Sequence, residues 1–147
     1  MSDSMLDHAR RHIGVKDADA IVSRWIRAAA DWLNEDGSET AWCGCFAGHV
    51  VKAEGGCPPP EFFRARAWLL WGEPVALRDA PPGAVVVFRR KGGFHVSFLD
   101  ERHDGGPWVR VTGGNQGDSV SAMRYLVRDI VGVRKYLVKG IVGGRVP

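Results

Sequence analysis

Pro81-Pro82-Gly83-Ala84-Val85-Val86-Val87-Phe88-Arg89-Arg90-Lys91-Gly92-Gly93-Phe94-His95-Val96-Ser97-Phe98-Leu99 reads as a β-hairpin. The Pro-Pro-Gly entry cannot continue a helix, and Ala84 to Phe88 is a β-branched, aromatic-ended run of strand length. Lys91-Gly92-Gly93 supplies the turn, and Phe94 to Leu99 is the return strand, with His95, Ser97 and Leu99 on one face. Downstream the pattern continues. Asp104-Gly105-Gly106-Pro107 is a second turn, Trp108 to Thr112 a third strand, and Gly113-Gly114-Asn115-Gln116-Gly117-Asp118 a tight loop. Ser119 to Val127 and Val131 to Leu137 read as extended.

Upstream the period changes from two to that of a helix. Leu6, Ala9 and Ile13 share one face of a short helix that stops near Gly14. A second helix starts at Asp17 or Asp19, carries Val22, Trp25, Ile26, Ala29, Trp32 and Leu33 on one stripe, and ends by Gly37. A third follows Ser38-Glu39-Thr40 and runs to about Glu54, with Gly55-Gly56 as its stop. Pro58-Pro59-Pro60 breaks the chain before a short helix around Glu61 to Trp71. Helices first and antiparallel strands afterwards predict an α+β domain, with N-terminal helices packed on a C-terminal sheet. Residues 1–137 form a single domain on this reading, and 138–147 a glycine-rich tail.

The chain has 147 residues, 45% apolar and 25% charged, with a net charge of +3. That is ordinary globular composition with room for one core, and it argues against disorder. Without a run of Lys or Arg, nucleic-acid binding is not expected. The segment Met1 to His8 lacks the basic-then-apolar pattern of a secretory signal, and no stretch is long enough for a membrane anchor. Synthesis in the cytoplasm is therefore expected, with the three cysteines Cys43, Cys45 and Cys57 reduced.

Cys43 lies in the first turn of the third helix, with Ser38 or Thr40 as cap. Free backbone N–H groups and the helix dipole stabilise a thiolate there. On helix position alone Cys43 reads more readily as a small buried apolar residue, so a base must be found. His49 is displaced from Cys43 by roughly 9 Å along the helix axis and about 120° around it, too far to act on the sulfur. His8 and His12 form an i, i+4 pair that suits either a metal or a solvated face. His103 sits in a charged loop. His95, opening a strand with the small Ser97 on the same face, can meet a helix head. Asn115, beyond the following strand at about the same end as His95, is placed to orient the imidazole, although asparagine is also a common turn residue.

Trp42-Cys43 at a helix head, Gly83 leading into Val85-Val86-Val87-Phe88, His95-Val96-Ser97-Phe98 and Gly113-Gly114-Asn115-Gln116 occur in one order. In that order the chain resembles a phage-type branch of the CHAP and NlpC-like cysteine peptidases, over about Leu6 to Tyr136. The resemblance implies a papain-like fold and hydrolysis of an amide in bacterial peptidoglycan by an amidase or endopeptidase, with Cys43 as nucleophile, His95 as base and Asn115 as orienting group. It implies no metal and no cofactor, and action at the cell wall after phage-type or secretion-apparatus delivery. Trp42, Phe94, Gln116, Trp68 and Trp108 are the candidate substrate-binding residues. Phe94 and Ser97 stand where the family usually has glycine, and Cys45 and His49 where it has apolar or small residues. Two rival readings stand beside this one: a zinc module using Cys45, His49 and Cys57 with Cys43 or His8 as a fourth ligand, and a catalytically inactive wall-binding or virion component of the same fold.

Overall fold

The computed structural model describes residues 2–136, so the glycine-rich segment 138–147 and residue 137, the end of the expected domain, lie outside the described residues. Three helices come first: α1 (Ser2–Arg11), α2 (Ala20–Ala29) and α3 (Cys43–Ala53). Six strands follow: β1 (Glu73–Pro74), β2 (Val85–Arg90), β3 (Gly93–Leu99), β4 (Trp108–Gly113), β5 (Ser121–Leu126) and β6 (Ile130–Lys135). They form one sheet in the order β1-β6-β2-β3-β4-β5 in which every pairing is antiparallel. The α+β reading stands.

Val85-Val86-Val87-Phe88 is buried at every position because β2 is covered on both faces. Val85 and Val87, with Val96 and Phe98 of β3, point to a core shared with the helices, where Val22, Trp25, Ile26, Phe46, Val50 and Val51 meet them. Val86 and Phe88, with Leu99, Val109, Val111 and Val133, fill a second core on the opposite face. Each such side chain stabilises the fold by about 1.5–3 kcal/mol of apolar burial. Tyr125 on β5 reaches the Phe88 ring on β2 at 4.9 Å between centroids. In a flat sheet strands three apart would be separated by about 14 Å. The sheet therefore curls around its second core.

The turn between β2 and β3 is tighter than the three glycine-rich residues suggest, because Arg90 already pairs with Gly93. The largest departures from expectation are in the helices. The second helix ends at Ala29 because Ala30 is extended (φ −164°), which leaves Trp32 outside it and 68% exposed. The third helix starts at Cys43, not after Thr40. Ser38 and Thr40 do not cap it: their hydroxyls donate to Asp36 Oδ1 and to the Asn34 carbonyl. The residue before the helix is Trp42, which makes no side-chain capping bond. The segment after the prolines forms turns and a 3-10 helix over Ala65–Leu70 rather than an α-helix. The two-residue strand β1, which pairs with β6, carries no pattern long enough to read.

Candidate active site

Cys43 is the first residue of α3 and is 4% exposed. The uncapped helix start leaves first-turn N–H groups free, so the sulfur sits at the positive end of the helix. The side chain that meets it is His95. Burial alone pushes the Cys43 thiol up, but a hydrogen bond with His95, the charge of that imidazole, a backbone hydrogen bond from Val96 and the nearby Arg90 outweigh it, and the thiol is held below its ordinary range. Cys45, two residues on and 1% exposed, shows the opposite case. Burial and the neighbouring Cys43 push its thiol up to about 12, which leaves it an inert core residue.

His95 is fully buried. Its Nε2 lies 2.9 Å from Gln116 Oε1 and 2.7 Å from Ser97 Oγ, and the Ser97 hydroxyl donates to the same Gln116 oxygen at 2.5 Å. The orientation of the Gln116 amide follows from its other end, where Nε2 donates to the Ser121 carbonyl at 2.7 Å. With Oε1 thereby facing the imidazole, Nε2 of His95 carries the proton and donates it, and Nδ1 keeps the lone pair. Nδ1 receives the Arg90 guanidinium at 3.3 Å. With Nε2 fully engaged, Nδ1 is the nitrogen left to face Cys43.

The side chain that meets the imidazole is Gln116, one position beyond the expected Asn115. The β3–β4 register, with Phe98 opposite Thr112, does bring residue 115 level with His95. However, Asn115 adopts a left-handed conformation (φ 58°), and the backbone rotation turns the next side chain, Gln116, onto the imidazole. Gln116 is 2% exposed, so it supports the histidine and is closed to a ligand. The loop can lie this close because it is glycine-built. A Cβ at Gly114 would come within 2.7 Å of the Trp42 ring and 2.8 Å of Phe46 Cβ, and one at Gly113 within 2.5 Å of Ser97 Oγ.

Of the other candidate substrate-binding residues, Trp42 and Trp68 are core side chains with no exposed ring. Trp42 is buried against Trp25 and the Gly114 backbone, with its Nε1 unpartnered. Trp68 donates its Nε1 hydrogen to the Phe62 carbonyl. Trp108 is 45% exposed but lies seven residues along β4 from the level of His95, roughly 20 Å away. There it lines a separate cleft of about 300 Å³ with Glu101, His103 and Arg124. Phe94 remains beside His95, half-buried, with the Arg66 guanidinium 5.7 Å over its ring. Sequence reasoning missed Arg90 and the bonding role of Ser97. The shared face of His95 and Ser97 was the available signal for the second.

The zinc set Cys45, His49 and Cys57 is not brought together. Cys57 is exposed, and its thiol donates to the Pro58 carbonyl. Among the described residues, the group within mutual ligating reach is His8, His12 and His49. Burial, together with the neighbouring imidazoles, holds His12 below the usual imidazole range and His49 at about 4, so both are neutral at pH 7.

No family model and no curated protein sequence matches the chain. In three dimensions it is similar to the crystal structure of a wild type endolysin, LysIME-EF1, with a TM-score of 0.61 at 11% sequence identity, over 94% of this chain. The chain spans 65% of the length of that endolysin. The likeness is one of fold. No helix among the described residues is long and apolar enough to cross a membrane.

Proposed function

We propose that the chain is a peptidoglycan hydrolase of the endolysin kind, which cleaves an amide of the cell-wall peptide by a thiol mechanism. The observation that carries this reading is the pairing of Cys43, at the bare head of α3, with a buried His95 whose tautomer is set by Gln116. The likeness in fold to an endolysin adds to it.

In this reading His95 Nδ1 takes the Cys43 proton and the sulfur attacks the scissile carbonyl carbon. The developing oxyanion lies at the first turn of α3, within reach of the Cys43 backbone N–H. The imidazolium then returns its proton to the leaving amine, the C–N bond breaks, and a thioester remains on Cys43. Water, deprotonated by the same Nδ1, hydrolyses it and restores the thiol. Gln116 keeps Nε2 as the donor throughout, and Arg90 places positive charge beside the thiolate. On this reading the chain reaches the wall by phage-type or secretion-apparatus delivery.

The test is turnover of purified peptidoglycan by the wild type and by Cys43→Ala, with products weighed by mass spectrometry. Release of muropeptide fragments by the wild type alone supports the assignment, and the masses distinguish amidase from endopeptidase. Equal release by both proteins removes Cys43 as the nucleophile. Wall binding without turnover by the wild type would favour an inactive module of the same fold.

A further inference from the structure

His8 and His12 lie one turn apart on α1, and His49 projects from α3. Their rings converge, with centroids 5.3 Å (His8–His12), 5.4 Å (His8–His49) and 5.6 Å (His12–His49) apart. One ligating nitrogen from each lies within 4.8 Å of the others. We propose that these three imidazoles form a zinc site that fastens α1 to α3, separate from the thiol site.

The geometry needs little adjustment. Zinc–nitrogen bonds of about 2.0–2.1 Å place tetrahedral ligands about 3.4 Å apart, so small ring rotations close the set. Three imidazoles suit a borderline divalent ion such as zinc and disfavour calcium or magnesium, which require oxygen. The tautomer of one ligand is already set. His8 Nδ1 lies 2.9 Å from Glu54 Oε2, so this nitrogen donates to the carboxylate and Nε2 is left to bind, the arrangement found behind metal-ligating histidines. The other two rings are braced by aromatic contacts. Trp25 meets His12 at 5.1 Å and His49 at 5.2 Å, and Phe46 stands edge-on to His12 at 6.0 Å. All three histidines are half-buried, which leaves the fourth position of the ion open to water. Six residues of α3 separate His49 from Cys43, about 9 Å of helix, so one ion cannot serve both groups.

The experiment titrates the metal-free chain with zinc sulfate in a calorimeter and records the visible spectrum with cobalt(II). Saturable uptake of one ion per chain is expected, with cobalt bands of tetrahedral form and no thiolate-to-cobalt charge transfer. His12→Ala and His49→Gln should each weaken zinc binding at least tenfold, Glu54→Gln by about tenfold, and Cys43→Ala not at all. The cobalt spectrum of the wild type reads the ligand set even if a histidine variant fails to fold. Absence of saturable uptake, binding unchanged in both histidine variants, or a thiolate band lost in a cysteine variant would each overturn the site. None of these outcomes bears on the peptidoglycan test, because the thiol mechanism uses none of the three residues.

Discussion

His95 and the three histidines at the α1–α3 contact are the same side chain in two kinds of surroundings. His95 is sealed at the end of a strand, with one nitrogen bound to Gln116 and Ser97 and the other aimed at Cys43 and Arg90. His8, His12 and His49 are half-buried and face one another across two helices, and only His8 among them has a carboxylate partner. A base needs one fixed lone pair and no choice of proton. A ligand set needs several lone pairs and a gap between them. The packing of each region supplies one of these and excludes the other.

If that contrast holds, His95→Ala should have the largest effect, lowering turnover of peptidoglycan by about 10³-fold or more in a steady-state assay with the fold intact by circular dichroism. Gln116→Leu should cost about 10²-fold in kcat by releasing the tautomer, while Asn115→Ala stays within about twofold. Equal losses at 115 and 116 would break the assignment of the orienting group. Gly114→Ala should destabilise the fold by about 1–3 kcal/mol in a denaturant titration, because its methyl would press on the Trp42 ring and Phe46 Cβ. Cys43 should be alkylated by iodoacetamide with an inflection below that of an ordinary thiol, read by peptide mass mapping. Cys45, with its thiol pushed up to about 12, should stay unmodified. Replacement of His95 by alanine should move the Cys43 inflection upward. The smallest effect is expected from a chelator added to the zinc-loaded protein: the Tm falls by several degrees while turnover at 25 °C is unchanged.

Much of this was legible in the sequence where local chemistry and tertiary packing agree. The Pro81 to Leu99 hairpin shows its strands by β-branched residues and its turn by glycine, and the structure pairs Arg90 with Gly93. Cys43 and His95 were legible as a pair because a helix head and a strand start are readable places. Legibility failed where one residue's backbone decides the outcome. At Asn115 the backbone is left-handed and Gln116 meets the imidazole; the turn is in keeping with an asparagine between glycines, but the sequence does not say which of the two amide side chains it aims inward. The start of α3 was misread because Ser38 and Thr40 are good caps by type, yet their hydroxyls are already spent on Asp36 and Asn34. Tryptophan content did not separate the buried rings of Trp42 and Trp68 from the exposed Trp108. The grouping of His49 with His8 and His12 depends on the α1–α3 contact, which periodicity within one helix does not contain.

The double burial of β2 has a consequence for how the molecule comes apart. Val85 and Val87 belong to the core under the helices, Val86 and Phe88 to the core inside the curled sheet, and the four are consecutive on one backbone. The strand is a shared wall, and neither side can melt while it stays in register. Slippage by one residue would put every one of these side chains on the wrong side at once. Helical and sheet layers are thereby locked into a single cooperative unit, and the amide hydrogens of β2 should be among the last to exchange with solvent.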